Sequence, residues 1–294
     1  MRKKVFSGLL FAAVIALSAG MFAACSTSSE STVEAAAVVS SVQLSATDVV
    51  VDAEETTDSF TLEAGLSISE EGGEITMSWS TSSSSVATVE DTSVTDDDGN
   101  TTYSASVTVK GEGVAVITAS AGNKSATCVV AAAGTVLEDG DSLADALAAA
   151  SDGDVIGLKA GSYEGGVSTA KGVCVAGAGS GYVSISGGLT LSGESFVSGV
   201  TIAAEEEGTD TAGLTVTDAD GETVTLRNAE ITGFTYGIDA DGAECVLAYS
   251  SFTDCTWGVS AGNITTILQV SFTDVIYQAS LNGVSYVRIG GDPE

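Results

Sequence analysis

The sequence predicts a mostly β chain in two parts. A sandwich of short strands comes first, and a right-handed parallel β-helix opened by a short capping helix follows. Three observations carry this reading. Residues 41–133 contain short runs that alternate apolar and polar residues between Gly-, Asn- and Asp-containing turns. Apolar positions from Leu226 onward recur at steps of 20 or 21 residues. Between these regions, residues 141–150 carry one apolar stripe at helical spacing.

The N-terminus precedes both parts. Arg2, Lys3 and Lys4 form a positive start, residues 5–17 an uncharged apolar run, and residues 18–24 a mainly small-residue tail before Cys25. A membrane-spanning helix needs about 20 apolar residues. This run is shorter and polar residues follow at once, the pattern of a processed export signal over residues 1–24. Phe22-Ala23-Ala24-Cys25 resembles the bacterial lipobox, with Phe22 where Leu is usual. That resemblance implies a diacylglycerol on Cys25 and an exported protein held in the cell envelope, at the outer membrane or cell surface. Membrane lipid is then its first expected partner. Residues 25–40, mostly Ser, Thr, Glu and Ala, read as a flexible tether.

Charge narrows the remaining partners. The chain has 9 Lys and Arg against 40 Asp and Glu, a formal charge of −31, and cleavage would remove three of the basic residues. Nucleic acid is excluded as a partner, because phosphate contacts need Lys and Arg. A polybasic membrane-binding surface is excluded for the same reason. The absence of His removes imidazole-based triads and His metal sites. Cys128, Cys174, Cys245 and Cys255 show no paired spacing and read as buried thiols, although export permits disulfides.

Within residues 41–133 the expected strands include residues 41–44, 59–62, 75–79, 103–109, 114–119 and 128–130. Many short strands with regular turns imply two packed antiparallel sheets, with Trp79 as the core anchor between them. Trp79-Ser80-Thr81-Ser82 through Ser85-Val86-Ala87-Thr88-Val89, with residues 111–119, resembles the bacterial Ig-like group 2 pattern. Members of that family are extracellular modules that space or present another domain. The carboxylate-rich turn at residues 96–100 reads either as a solvated hairpin tip or as a Ca²⁺ site, since Ca²⁺ takes oxygen ligands.

Residues 134–294 form the second expected domain. Ser142 and Asp145 make a capping-box-like start, with Leu143, Ala146, Leu147 and Ala150 on one face. Short strands between Gly turns follow. Leu226, Leu247 and Leu268 recur at 21. Ile231, Phe252 and Phe272 recur at 21 and then 20, as do Phe234, Cys255 and Val275, and Ile238, Val259 and Ala279. A coil of that length holds three short strands and three turns, and equivalent positions stack one strand spacing, about 4.8 Å, apart. Residues 142–147, 153–163 and 171–179 are similar to the opening of pectin-lyase-like domains, in which a short helix caps the first coil. That fold carries lyases, hydrolases, adhesins and inert stalks, so it implies no single activity.

Three candidate sites follow. Arg227 is the only basic residue near the middle of the helix. It points outward beside inward Leu226, either as a catalytic candidate or as a charge partner for Glu222 or Glu230. Asp218-Ala219-Asp220-Gly221 recurs as Asp239-Ala240-Asp241-Gly242, which would stack Asp218 on Asp239 and Asp220 on Asp241. Either Ca²⁺ bridges these turns or the carboxylates splay into water. Tyr236, Trp257 and Tyr277 also keep the period, either facing inward or forming an exposed stripe for a sugar or a protein. The expected function is a surface lipoprotein whose β-helix binds a polysaccharide or a surface protein. The alternatives are a polysaccharide lyase or glycoside hydrolase acting near Arg227 and the Asp turns, and a non-catalytic stalk.

Overall fold

The computed structural model describes residues 37–54, 59–70, 72–73, 75–205, 211–281 and 284–285. The expected export signal, Cys25, most of the expected tether, Glu206, Glu207 and Arg288 lie outside the described residues.

Two sheets form the N-terminal unit. One has the order Val38–Leu44, Ser59–Glu70, Thr101–Val109, Ala87–Asp91, all antiparallel, and Val94–Thr95 also pairs with Thr101–Val109. The other has the order Asp48–Asp52, Lys124–Ala133, Gly113–Ala121, Met77–Thr81. In this second sheet Asp48–Asp52 runs parallel to Lys124–Ala133, an exception to the antiparallel expectation. Leu62, Val107 and Val109 from the first sheet share a core with Ala115, Ile117, Cys128 and Val130 from the second. Trp79 is half-buried and packs against both apolar clusters of this unit.

The second unit is a parallel β-solenoid of about seven turns. Its first face stacks Thr135–Leu137, Val155–Leu158, Cys174–Gly177, Ser195–Ser198 and Thr223–Arg227. The second stacks Gly161–Glu164, Val183–Ser186, Thr201–Ala203, Glu230–Thr232, Ser251–Thr253 and Ser271–Thr273. The third stacks Val167–Ser168, Leu189–Ser192, Ala212–Thr217 and, beyond them, Tyr277–Leu281. The long strands Tyr236–Ala248 and Trp257–Leu268 begin on the third face and bend onto the first.

The interior is a set of apolar columns, each lateral neighbour in register with the next. Tyr163, Ile185, Ile202, Ile231, Phe252 and Phe272 form the column of the second face. Leu189, Leu214, Ile238, Val259 and Ala279 form that of the third. On the first face Ile156, Val175, Val197, Leu226 and Leu247 follow one another in the interior, and Ile267 continues their register at an exposed position. Leu268 is therefore not the third leucine of that column; it pairs with Ala248. The corner between Ala261 and Asn263 is shorter than that between Ala240 and Glu244, and a bulge between Ile264 and Thr266 restores only part of the difference.

The opening helix spans Leu143–Ala149. Its N-cap Ser142 accepts a hydrogen bond from the Asp145 backbone N–H at 3.1 Å, as the sequence predicts. Leu143 and Leu147 are buried in the solenoid's apolar core, and the helix packs on Gly161–Glu164 and Val167–Ser168 at the end of the first coil. Lys171 donates through Nζ to the Ala150 carbonyl at the helix C-terminus. Cys128, Cys174, Cys245 and Cys255 are free and buried. Burial pushes the Cys128 and Cys245 thiols up to about 12, which disfavours the reactive thiolate.

The two units share an interface. Lys124–Ala133 is buried on both faces through its last six residues. Cys128, Val130 and Ala132 enter the core of the two-sheet unit, whereas Ala131 and Ala133 join Val50 against Val155, Cys174 and Ala176 of the solenoid. The outer side of the solenoid's first face is thus covered by the N-terminal unit over its early coils.

Candidate functional site

Arg227 ends a first-face strand and points out of the solenoid, as its alternation with Leu226 requires. It does not reach open solvent, being only 8% exposed under the N-terminal unit. Its Nη2 donates to Thr127 Oγ1 at 3.1 Å, and its guanidinium lies 5.4 Å from the Tyr249 ring centroid. Burial lowers its pKa, opposed by electrostatic interaction with Tyr249 and Asp48. Thr127, Tyr249 and Asp48 thus stand in place of the expected partners Glu222 and Glu230.

Asp48 is the acidic group of this cluster and is 6% exposed. Its Oδ1 accepts from Ser198 Oγ and from Asn228 Nδ2, the latter at 3.1 Å. Asn228 Nδ2 also reaches the Thr47 carbonyl at 3.2 Å. Burial raises the Asp48 carboxyl above its ordinary range, against the lowering effect of these hydrogen bonds and of Arg227. Neither Asp48 nor Asn228 is among the sequence-derived candidates. The usable signal was the unbroken apolar run of residues 128–133, together with Val49-Val50-Val51. Strands buried on both faces lose their alternation.

The Asp repeats do not stack as the period implies. Asp239 pairs with Thr215, and Gly221 donates to the Gly242 carbonyl at 3.1 Å, which places Asp220 beside Gly242 rather than Asp241. The reason is length. The segment from Thr215 to Thr223 is longer than its counterpart from Asp239 to Glu244, so equal sequence spacing does not give equal height. Asp218 accepts from Ser192 Oγ at 3.4 Å. The Asp239 carboxyl is raised by burial first and by Asp241 second. No cluster of three or more Cys, Asp or Glu suited to a metal occurs among the described residues. In the other acidic turn, Asp96 Oδ1 accepts from the Asn100 and Asp98 backbone N–H groups at 2.7 and 3.0 Å. The hydrogen bonds from Asn100 hold the Asp96 carboxyl below its usual range.

The aromatic period does become a physical ladder. Tyr236, Trp257 and Tyr277 are in register. Their rings stack with centroids 6.2 Å apart for the first pair and 4.1 Å for the second. All three are half-buried and none joins the apolar core of the solenoid. The following glycines set this orientation. A Cβ on Gly237 would lie 2.5 Å from the Phe252 ring, and one on Gly258 2.5 Å from the Phe272 ring. The chain therefore turns its glycines toward the Phe column and leaves the aromatic ladder outside it. On the same face, the column Thr190, Thr215, Asp239, Ser260 and Ser280 alternates with the interior residues. Arg227 and the Asp239 region thus lie on different faces and do not converge on one site.

No family model and no curated relative matches the sequence. Solved structures of the S-layer protein SbsC match weakly. Domains 5–6 share 19% identity at a TM-score of 0.28, covering 37% of this chain and 56% of that one. Domains 4 and 5 share 19% identity at 0.27, covering 33% and 53%. The longer rSbsC(31-844) shares 20% at 0.27, covering 35% and 14%. This chain spans about half the length of the shorter of these structures and far less of the longest. A likeness of that size sets neither fold nor role.

Proposed function

We propose that this protein is an exported, lipid-anchored surface protein in which an Ig-like unit holds a β-helix away from the membrane. The third face of the helix then binds a glycan or another surface protein. The observation that carries the reading is the Tyr236–Trp257–Tyr277 ladder, in register yet outside the core, beside a column of hydroxyls and one carboxylate. Aromatic side chains combine large contact area with few rotors, so a fixed row of them favours association. Because the rings stack on one another, their edges and polar atoms face a partner. The negative charge of the chain favours neutral or basic partners over acidic polysaccharides.

The test is a glycan array and a surface-protein binding screen with soluble protein starting at Ser26, with and without Ca²⁺, comparing wild type with Trp257→Ala. Binding that falls at least tenfold in Trp257→Ala is the expected result. Binding indifferent to the ladder, or release of product from acidic polysaccharides, would refute this reading; product release would favour the lyase or hydrolase alternative. No binding to any probe would leave the stalk.

The anchor has its own test. Cys25→Ala removes the only thiol at the end of the signal, and with it the lipid chains, each contributing about 0.8 kcal/mol per buried CH₂. The variant should move from the membrane fraction to the soluble fraction. Equal retention would remove the lipid anchor from the proposal.

A further inference from the structure

We infer that the outer side of the solenoid's first face is a permanent seat for the chain's own N-terminal unit, keyed by Asp48, so that the two units form one cooperative and inflexible body. This goes beyond the binding role and is independent of what the third face binds. The apolar part of the seat consists of Val50, Ala131 and Ala133 against Val155, Cys174 and Ala176. Contacts between small aliphatic side chains are non-directional and would tolerate sliding along a regular β face. The polar contacts remove that freedom. Ser198 and Arg227 are register partners on adjacent coils, and Asn228 follows at the corner. Ser198 and Asn228 present a hydroxyl and an amide to a single protruding carboxylate from the other unit, and the Arg227 charge acts on it electrostatically. Only one seating places Asp48 against Ser198 and Asn228 while Arg227 reaches Thr127. A buried polar group that fixes register in this way is the best-attested role for such pairs.

Two further features tie the units together. Lys124–Ala133 passes into Thr135–Leu137, the solenoid's first strand, with only Gly134 between them. Glu112, from the turn preceding Gly113–Ala121, accepts a hydrogen bond from the Val155 backbone N–H at 3.3 Å. Relative motion is the default for linked domains unless the interface is apolar and extensive. Here a one-residue connection, an apolar seat and a charge-bearing key all act against it. Arg227, one of only 9 basic residues in a strongly acidic chain, is used inside this seat rather than toward solvent.

The experiment is differential scanning calorimetry with small-angle X-ray scattering on the full chain from Ser26. Wild type should give one heat-absorption peak and one compact scattering profile. Asp48→Ala should either split the peak in two or lower it by about 10 °C, as loss of a buried carboxylate that accepts two hydrogen bonds across the interface implies, and should enlarge the radius of gyration. Adding Arg227→Met to Asp48→Ala should recover part of that loss, because no unpaired charge then remains. Should Asp48→Ala fail to fold, Ser198→Ala removes one donor and should lower the peak by a smaller amount. Two independent peaks in wild type would overturn the inference. So would Asp48→Ala or Ser198→Ala leaving both the peak and the scattering profile unchanged.

Discussion

Replacing Phe252 by Ala should destabilise the solenoid by about 3–5 kcal/mol, the usual cost of emptying a fully buried aromatic site. The ring is fully buried, in register with Ile231 on one side and stacked on Phe272 at 5.1 Å on the other. In a stack of coils each turn contacts only its neighbours, so the missing ring weakens both interfaces of its own coil. Neighbouring coils are held apart by backbone hydrogen bonds at fixed spacing and cannot collapse into the void. The same substitution at Phe272, which is half-buried, should cost clearly less. Urea denaturation monitored by circular dichroism measures both. Equal midpoint shifts for the two variants, or a shift below about 1 kcal/mol for Phe252→Ala, would show that this column does not hold the coils together.

The aromatic and aliphatic columns were legible because side chains that stack must recur at the coil length. Where the recurrence follows the coil's own length, 21 residues from Ile231 to Phe252 and 20 from Phe252 to Phe272, sequence spacing and height along the axis coincide. The same rule explains both errors. A short corner and a bulge move Ile267 into the place expected for Leu268, and a longer segment before Thr223 lifts Asp218 out of line with Asp239. Periodicity reports alignment only between insertions, and the Asp repeat straddles one. The aromatic ladder was legible as a row, but not as inward or outward. Its direction depends on Gly237 and Gly258 facing the Phe column, a three-dimensional constraint with no periodic signature of its own.

The seat between the units was the least legible feature, although its residues were in plain view. Alternation marks a strand with one wet face. Val49-Val50-Val51 and residues 128–133 lack it because one face packs on the core of the two-sheet unit and the other on the solenoid. An unbroken apolar run of that length in a two-sheet unit signals a second contact surface, not merely a closing strand. Arg227 was singled out for its isolation in an acidic domain. Alternation with Leu226 places it on the outer side of the sheet, but alternation cannot reveal that another part of the same chain covers that side.

That geometry makes Gly157→Val the sharpest probe of the apolar half of the seat. Gly157 lies in a first-face strand, where Val is normally favoured over Gly. A Cβ there would stand 2.4 Å from Val50 Cγ1 and 2.9 Å from Ala133 Cβ, both on the N-terminal unit. Side chain and seat cannot occupy the same space, so the unit must shift away or the strand must bend. Overpacking of this kind costs about 1–3 kcal/mol. Gly181→Ala is the control. A Cβ at Gly181 meets nothing within 4 Å, and the change should be neutral or stabilising by about 0.4–1 kcal/mol through the unfolded chain. Thermal melts of the two variants should therefore move in opposite directions. Hydrogen exchange at the Val155 amide, which donates to Glu112, should accelerate only in Gly157→Val. If the valine variant melts with wild type and keeps that amide protected, the two units do not meet at Gly157, and the solenoid's first face is open to solvent after all.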